Sequence, residues 1–288
     1  MDMVVKAEKH PLPGETLLGG DFFMNAGGKG ANQAVAVARL GGDLTFVAKV
    51  GNDVFGQQIV EGFRKENMNT DYVFVDENNP SGAALIMVNA EGENCIVVAP
   101  GSNGNLLMSD IDKVKNIVDA EIILMQLEIP IETINTIAKN AKSNNQKVIL
   151  NPAPAQHLSD ELLNGLFLAT PNETEAAMLT GIEVTDDEST EKAADFLLNK
   201  GVENVIITLG KQGAFFKNKC QTLKIKAPEV IALDTTAAGD TFNGALTVAL
   251  TEEMNWKNAI EFACKAASIS VTRMGAQASV PYRSEMNS

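Results

Sequence analysis

Val230-Ile231-Ala232-Leu233-Asp234-Thr235-Thr236-Ala237-Ala238-Gly239-Asp240-Thr241-Phe242-Asn243-Gly244-Ala245 is the stretch on which the reading of this chain turns. A short apolar run ends at Asp234. Small residues and a glycine follow, and helical spacing runs from Thr241 to Leu250. Small side chains at Ala237, Ala238 and Gly239 let the backbone come close to a ligand. A helix starting here points its unpaired N–H groups and its positive dipole end at the same spot. Such a turn holds an anion, and it suits a phosphate whose charge grows during transfer. Asp240 stands at its mouth. The helix terminus favours the ionised form, so the carboxylate can accept a proton from an attacking hydroxyl. The bland alternative is an ordinary helix start with Asp240 as its N-cap.

A second glycine-rich turn lies far upstream, at Ala26-Gly27-Gly28-Lys29-Gly30-Ala31-Asn32. It is not a phosphate P-loop, because no Ser or Thr follows the lysine. It is not a dinucleotide fingerprint, because Gln33 stands where the third glycine should be. It offers mobile backbone, the cation of Lys29 and the amide of Asn32, which both donates and accepts. That combination suits a polyhydroxylated ligand. By itself it is equally a plain loop before a helix.

Composition narrows the classes. The chain has 288 residues, 45% hydrophobic and 21% charged, with a formal net charge of -14. An acidic surface argues against nucleic acid and anionic membrane as partners. It does not exclude ATP, which backbone cradles and a metal can hold against an acidic background. Cys95, Cys220 and Cys264 are far apart and fit a reducing compartment with no zinc site. No apolar run reaches membrane-spanning length and no signal-peptide core opens the chain, so a cytoplasmic location is expected.

Along the chain, residues 1–7 and 16–25 read as extended, and 31–40 as a helix ended by Gly41-Gly42. Residues 44–50 read as a buried strand and 55–67 as a helix. Residues 82–88 and 94–99 form a hairpin around 89–93. Strands and helices then alternate: strand 122–127, helix 131–143, strand 147–150, strand 167–170, helix 173–179, helix 191–200, strand 205–209. A hairpin of 214–217 with 222–227 follows, then helices 241–250 and 256–273. The alternation predicts an α/β fold with a mostly parallel sheet flanked by helices on both faces. Segments 1–25 and 82–99 break the pattern and predict a small antiparallel sheet outside the main body.

Two long runs resemble the signatures of the ribokinase family of carbohydrate kinases: residues 25–41 with their continuation Gly51-Asn52-Asp53-Val54-Phe55-Gly56, and residues 234–245. Further matches occur in order at Gln126-Leu127-Glu128, at Asn172-Glu173-Thr174-Glu175, and at Thr208-Leu209-Gly210-Lys211-Gln212-Gly213. Asp2, Pro11-Leu12-Pro13-Gly14-Glu15-Thr16, residues 20–25 and residues 271–279 bring the likeness nearest to the family's ribose kinases. The resemblance covers residue 2 to about residue 283. It implies one kinase domain over 1–288, with a lid made of about 3–25 and 82–99 and a homodimer formed through that lid. It implies ATP-dependent phosphorylation of D-ribose at the 5-hydroxyl. Asp2, Gly28, Lys29, Gly30, Ala31, Asn32 and Glu128 would hold the sugar. Asp240 would be the general base, with Ala237, Ala238 and Gly239 completing the anion cradle. Asn172, the 208–213 turn, Gly239, Asp240 and Cys264 would meet the nucleotide. Glu175 would hold Mg²⁺ through water. Asp234, the carbonyls of Thr236, Ser270, Arg273 and Gly275, and the Ser279 hydroxyl would surround K⁺, for which hard oxygens are apt.

Three departures accompany the likeness. The family's first core strand, and an Asn two places before Asp2, have no counterpart in a chain beginning at Met1, so a weakened sheet is expected. Cys264 stands where some relatives carry Asn or His near the adenine. The helix after the tail motif stops short at Ser288. Two other readings remain open: a kinase for another sugar or a nucleoside, for example fructokinase-like, and a non-catalytic sugar- or nucleotide-binding protein.

Overall fold

Residues 204–208 show how the core is built: Val205 and Ile207 face one apolar cluster and Ile206 the other, all three fully buried. Successive strand side chains point to opposite faces. A continuous apolar run is therefore what a strand covered on both sides requires. The same split holds at Val148 and Leu150 against Ile149, and at Phe215 against Ala214 and Phe216.

The computed structural model describes residues 1–115 and 117–287. The chain opens with β1 (Asp2–Lys6), β2 (Phe22–Asn25), α1 (Lys29–Arg39), β3 (Ala48–Gly51), α2 (Val54–Lys65) and β4 (Val73–Asp76). The hairpin β5 (Ala83–Val88) and β6 (Asn94–Ala99) follows, then α3 (Met108–Ile111), β7 (Ile122–Met125), α4 (Ile131–Ser143) and β8 (Lys147–Leu150). After α5 (Asp160–Leu163) come β9 (Leu168–Ala169), α6 (Glu173–Thr180), α7 (Asp187–Asn199), β10 (Asn204–Thr208), β11 (Ala214–Asn218) and β12 (Thr222–Ile225). Helices α8 (Ala238–Thr251) and α9 (Trp256–Ser270) close the body. No helix among the described residues is long and apolar enough to cross a membrane.

The main sheet runs β12-β11-β10-β9-β8-β7, parallel from β7 to β10 and antiparallel beyond. Helices α4 to α7 cover one face, while α1, α8 and α9 cover the other. This is the expected architecture, with three refinements. First, β3 and β4 pair with each other, parallel, as a separate two-stranded sheet. Residues 73–76 form a strand that the sequence pattern does not predict, and β3 starts four residues later than the apolar run predicts. Val47 and Phe46 use their apolar surface for loop packing against the clusters instead. Second, the small sheet β2-β1-β5-β6 is antiparallel within each hairpin, but β1 and β5 run parallel where the hairpins meet. Third, α7 begins at Asp187, four residues early, because Asp186 caps it by accepting from Ser189 N–H (2.7 Å).

The contact that matters most for the site is between α1 and α8. Helix α1 presents Ala34, Val35, Ala36 and Val37, all buried, and α8 meets it at Gly244. A Cβ at Gly244 would lie 2.5 Å from Ala36 Cβ and 2.7 Å from the Gln33 carbonyl oxygen. Only glycine allows the two helices this close. Gly244→Val is therefore expected to lower the unfolding free energy by about 1–3 kcal/mol, as overpacking does. Gly62→Ala, where a Cβ meets nothing within 4 Å, is expected to be neutral or stabilising by up to ~1 kcal/mol. Denaturant titration of both variants measures this, and an equal effect at the two glycines would refute the close-contact account.

Candidate active site

Asp240 lies in the first turn of α8, three residues past its N-cap Ala237. It is not the cap, so the bland reading of this helix start does not hold. Ala237 takes the left-handed conformation (φ 59°) and offers no side-chain cap. Thr241 N–H bonds to the Ala237 carbonyl (2.8 Å) and Ala238 N–H to the Thr235 carbonyl (3.2 Å). The amides of Gly239 and Asp240 find no acceptor inside a helix that has only begun. Gly239 is exposed while Asp240 is 6% exposed, so the turn opens to solvent above a buried carboxylate.

That carboxylate is gripped from α1. Asn32 donates its Nδ2–H to Oδ2 of Asp240 (2.8 Å), and Gln33 donates its Nε2–H to Oδ1 (3.0 Å). Both amides are buried, and Oδ1 of Asn32 has no partner among the described residues. Burial pushes the Asp240 carboxyl above its ordinary value of 3.8, while Lys29, Asn32 and Gln33 pull it back. The group is thus a buried carboxylate whose ionised form depends on its neighbours.

The glycine loop before α1 brings the remaining sugar-side residues together. A Cβ on Gly27 would sit 2.0 Å from Oδ2 of Asp2, and one on Gly30 would sit 2.9 Å from Oε1 of Gln126. Gly28 has φ 94°, a backbone shape that glycine supplies without strain. Lys29 N–H donates to Oε2 of Glu128 (2.8 Å), just past the end of β7. Asp2 begins β1 in register with Asn25 and Ala84. The carboxyls of Asp2 and Glu128 are both pushed up, first by burial, with Asp240 adding repulsion; Lys29 opposes this at both, and the chain's amino terminus opposes it more strongly at Asp2. Asp2, Gly28, Lys29, Gly30, Ala31, Asn32, Glu128 and Asp240 therefore form one cluster: three carboxyls around the Lys29 ammonium, with the Met1 ammonium also beside Asp2 and Glu128 and an open acceptor on Asn32.

On the other side of Asp240, the Asn172 and Thr208 backbones form an isolated parallel bridge. Asn172 caps α6 by accepting from Glu175 N–H (2.8 Å), and Glu175 returns the bond, accepting from Asn172 N–H (2.9 Å). This reciprocal box uses Oε2 of Glu175. Burial raises the Glu175 carboxyl, and Asp240 adds to it. The 208–213 turn is tighter than a plain hairpin. Leu209 N–H bonds to the Gly213 carbonyl (2.8 Å), and a Cβ on Gly213 would lie 2.0 Å from the Ile225 carbonyl oxygen. Gly210, Lys211 and Gln212 are exposed on it. Cys264 lies in the apolar cluster under α8 and α9, where burial pushes its thiol up to about 12.

Asp234 occupies the turn ahead of the cradle. Its oxygens accept from Thr236 N–H and Gly275 N–H (2.9 Å each), which hold its carboxyl below the usual value despite partial burial. Arg273 N–H bonds to the Ser270 carbonyl (3.0 Å), and the Ser279 hydroxyl donates to the Ala276 carbonyl (2.8 Å). The structure brings Asp234, Thr236 and Gly275 together. Ser270 and Ser279 lie buried on neighbouring turns of the same tail. Among the described residues no three His, Cys, Asp or Glu side chains form a metal cluster.

Gln33, Gln126, Asn151, Thr170 and Asn243 are polar residues of the site to which the sequence alone assigns no role. A signal exists for Gln33: it follows Asn32 and leads directly into Ala-Val-Ala-Val-Ala at 34–38, where an amide has to be buried with a partner.

The sequence pattern of the pfkB family of carbohydrate kinases matches residues 1–283. The chain belongs to this family. The ribokinase of Haemophilus influenzae is 46% identical over 285 residues, covering 99% of this chain and 93% of that relative. The solved ribokinase of Thermotoga maritima superposes with a TM-score of 0.89 at 39% identity, over 99% of this chain and 94% of that one. The structure of Arabidopsis thaliana ribokinase complexed with ribose and ATP gives a TM-score of 0.93 at 34% identity, over 99% and 94%. The α/β fold is thus that of the ribokinases, and the cluster around Asp240 sits in a carbohydrate-kinase framework.

Proposed function

We propose that this protein transfers the γ-phosphoryl group of ATP to the 5-hydroxyl of D-ribose, giving D-ribose 5-phosphate and ADP. The observation that carries this reading is the position of Asp240, between a glycine loop ringed by carboxyls and a helix terminus open to an anion. Relatives whose names specify ribose, over nearly the full length of both chains, support the choice of sugar.

Each residue then has a task. Asp2, Glu128 and the 28–32 backbone accept and donate to sugar hydroxyls, and Oδ1 of Asn32 is a free acceptor for one more. Asp240 takes the proton from the attacking hydroxyl as the new O–P bond forms and the bond to the β–γ bridging oxygen breaks. The amides of Gly239 and Asp240 stabilise charge on the transferring group, while the Ala238 N–H is already bonded to the Thr235 carbonyl. Asn172 and the 208–213 turn face the nucleotide. Mg²⁺ would neutralise phosphate oxygens; the oxygen of Glu175 not used in its capping box suits a metal-bound water. K⁺ would lie beside Asp234, whose ionised carboxylate and surrounding carbonyls are hard oxygen donors.

The small sheet suits a lid that shuts water out during transfer. It also suits a homodimer contact, because Ile96, Val97 and Val98 on β6 and Leu85 on β5 are all more than half exposed.

Asp240→Asn is expected to cut kcat by 10²–10⁴-fold with ATP binding intact, roughly 3–5 kcal/mol of barrier. A coupled ADP-release assay, with D-ribose against D-fructose, checks both base and substrate; retention of more than about a tenth of kcat removes Asp240 from its role. Replacing K⁺ by tetramethylammonium at matched ionic strength is expected to lower the rate, and equal rates defeat the cation site. Sedimentation should show a dimer that Val97→Asp dissociates; a wild-type monomer rules the contact out.

A further inference from the structure

Gln33 does more than touch Asp240. Its side chain is 1% exposed and every polar atom on it is used. Nε2 donates to Oδ1 of Asp240 and to Oδ1 of Asn151, 3.0 Å each, and Oε1 accepts from Nε2 of Gln126. From Asn151 the chain of bonds continues. Asn151 Nδ2–H donates to the Thr170 carbonyl (3.3 Å), and the Thr170 hydroxyl donates to Oδ1 of Asn243 (2.6 Å). Asn243 Nδ2–H then donates to the Gly239 carbonyl (2.8 Å). One line of uncharged groups thus runs from Gln126, two residues before Glu128, through the ends of β8 and β9, to the turn that carries Gly239 and Asp240.

We infer that Gln33 is a positioning residue for the phosphoryl-transfer step: as the hub of this buried amide relay it fixes the direction of the Asp240 carboxylate and ties it to both the sugar side and the anion cradle. The orientation of the hub is determined. Turning its amide over would set an oxygen against the Asp240 carboxylate and a nitrogen against the Gln126 donor. With Oδ1 engaged by Gln33 and Oδ2 by Asn32, each oxygen keeps a lone-pair site for a hydroxyl proton. A buried network with every member satisfied is rigid, and rigidity is what a base in an in-line transfer needs.

The hub also favours the ionised form of the carboxylate. The charged groups that face Asp240 are Lys29 on α1, Asp2 on β1, Glu128 past β7 and Glu175 on α6. Three of the four repel a negative charge. Burial works in the same sense, and the field of Lys29 and the amide bonds from Asn32 and Gln33 oppose both. Removing the Gln33 donor raises the Asp240 pKa, and the acid limb of the rate profile moves to higher pH. Placing a carboxylate there raises it further.

This role rests on the reading of Asp240 as the base, and the test separates the two. Gln33→Met keeps the volume and removes both donors; Gln33→Glu adds a like charge. In both, the acid limb of kcat/KM for D-ribose is expected to move up by about one pH unit or more, furthest in Gln33→Glu. KM for ATP is expected to stay within about twofold, since the relay ends on the Gly239 carbonyl and leaves the unpaired Gly239 and Asp240 amides and the 208–213 turn in place. Carbon-13 titration of the Asp240 carboxyl without substrate should show the same upward shift and does not depend on turnover. If Asp240→Asn stays active, the base reading fails, yet the titration still reports whether Gln33 holds the carboxylate. Should Gln33→Met not fold, Asn151→Ala, which leaves Gln33 Nε2 one acceptor short, is expected to shift the limb in either direction by less than Gln33→Glu while lowering kcat. An unmoved acid limb together with an unmoved carboxyl titration, in Gln33→Met or failing that in Asn151→Ala, would reduce Gln33 to packing and overturn the inference.

Discussion

A carboxylate that is 6% exposed has lost nearly all its water, and something must replace it. Around Asp240 the replacement is two side-chain amides and the field of one lysine. Burying a charge without such partners costs far more than a domain can spare. The rest of the structure can be understood as the means of bringing those partners to one carboxylate from sequence positions more than two hundred residues apart.

The means is a helix pair built from small residues. Ala34 to Val37 on α1 and Gly244 on α8 let the backbones approach until Gln33 and Asn32 reach Asp240 at hydrogen-bond distance. A larger residue at 244 would move the amides away and leave a buried charge half-solvated by nothing. Packing and electrostatics are the same requirement here: the close contact exists because the charge needs it, and the charge is tolerable because the contact is close. The sheet contributes by ending β7, β8 and β9 at the same edge, so that Gln126, Asn151 and Thr170 line up along one path.

Much of this could be seen in the sequence, for identifiable reasons. Helix 131–143 and strand 147–150 have clear apolar periods and coincide with α4 and β8 residue for residue. The two glycine turns were visible because their shape needs glycine, and Asp240 because it stands alone in a run of small residues. What stayed hidden has no period. Strand 73–76 is four residues long, with one side to a two-stranded sheet, and its Val-Phe-Val run is also what loop packing uses. The relay is five uncharged side chains from distant elements, each unremarkable in its own neighbourhood. Only their convergence identifies them, and convergence belongs to the tertiary structure. The pairing of β1 with β5 is hidden for the same cause: nothing local states which strand of one hairpin will lie beside which strand of another.

That pairing has a thermodynamic side. Asp2 is the first residue of β1, and β1 is hydrogen-bonded to β2 on one edge and β5 on the other. Any molecule that binds Asp2 therefore grips the end of a four-stranded ladder. Sheet placement and ligand affinity become linked equilibria, each able to shift the other only by the difference in free energy between the states. A substitution on β5 or β6, far from any ligand atom, can then alter apparent affinity by changing the fraction of molecules whose ladder is already in place. The pocket would be unchanged, and its occupancy would still fall.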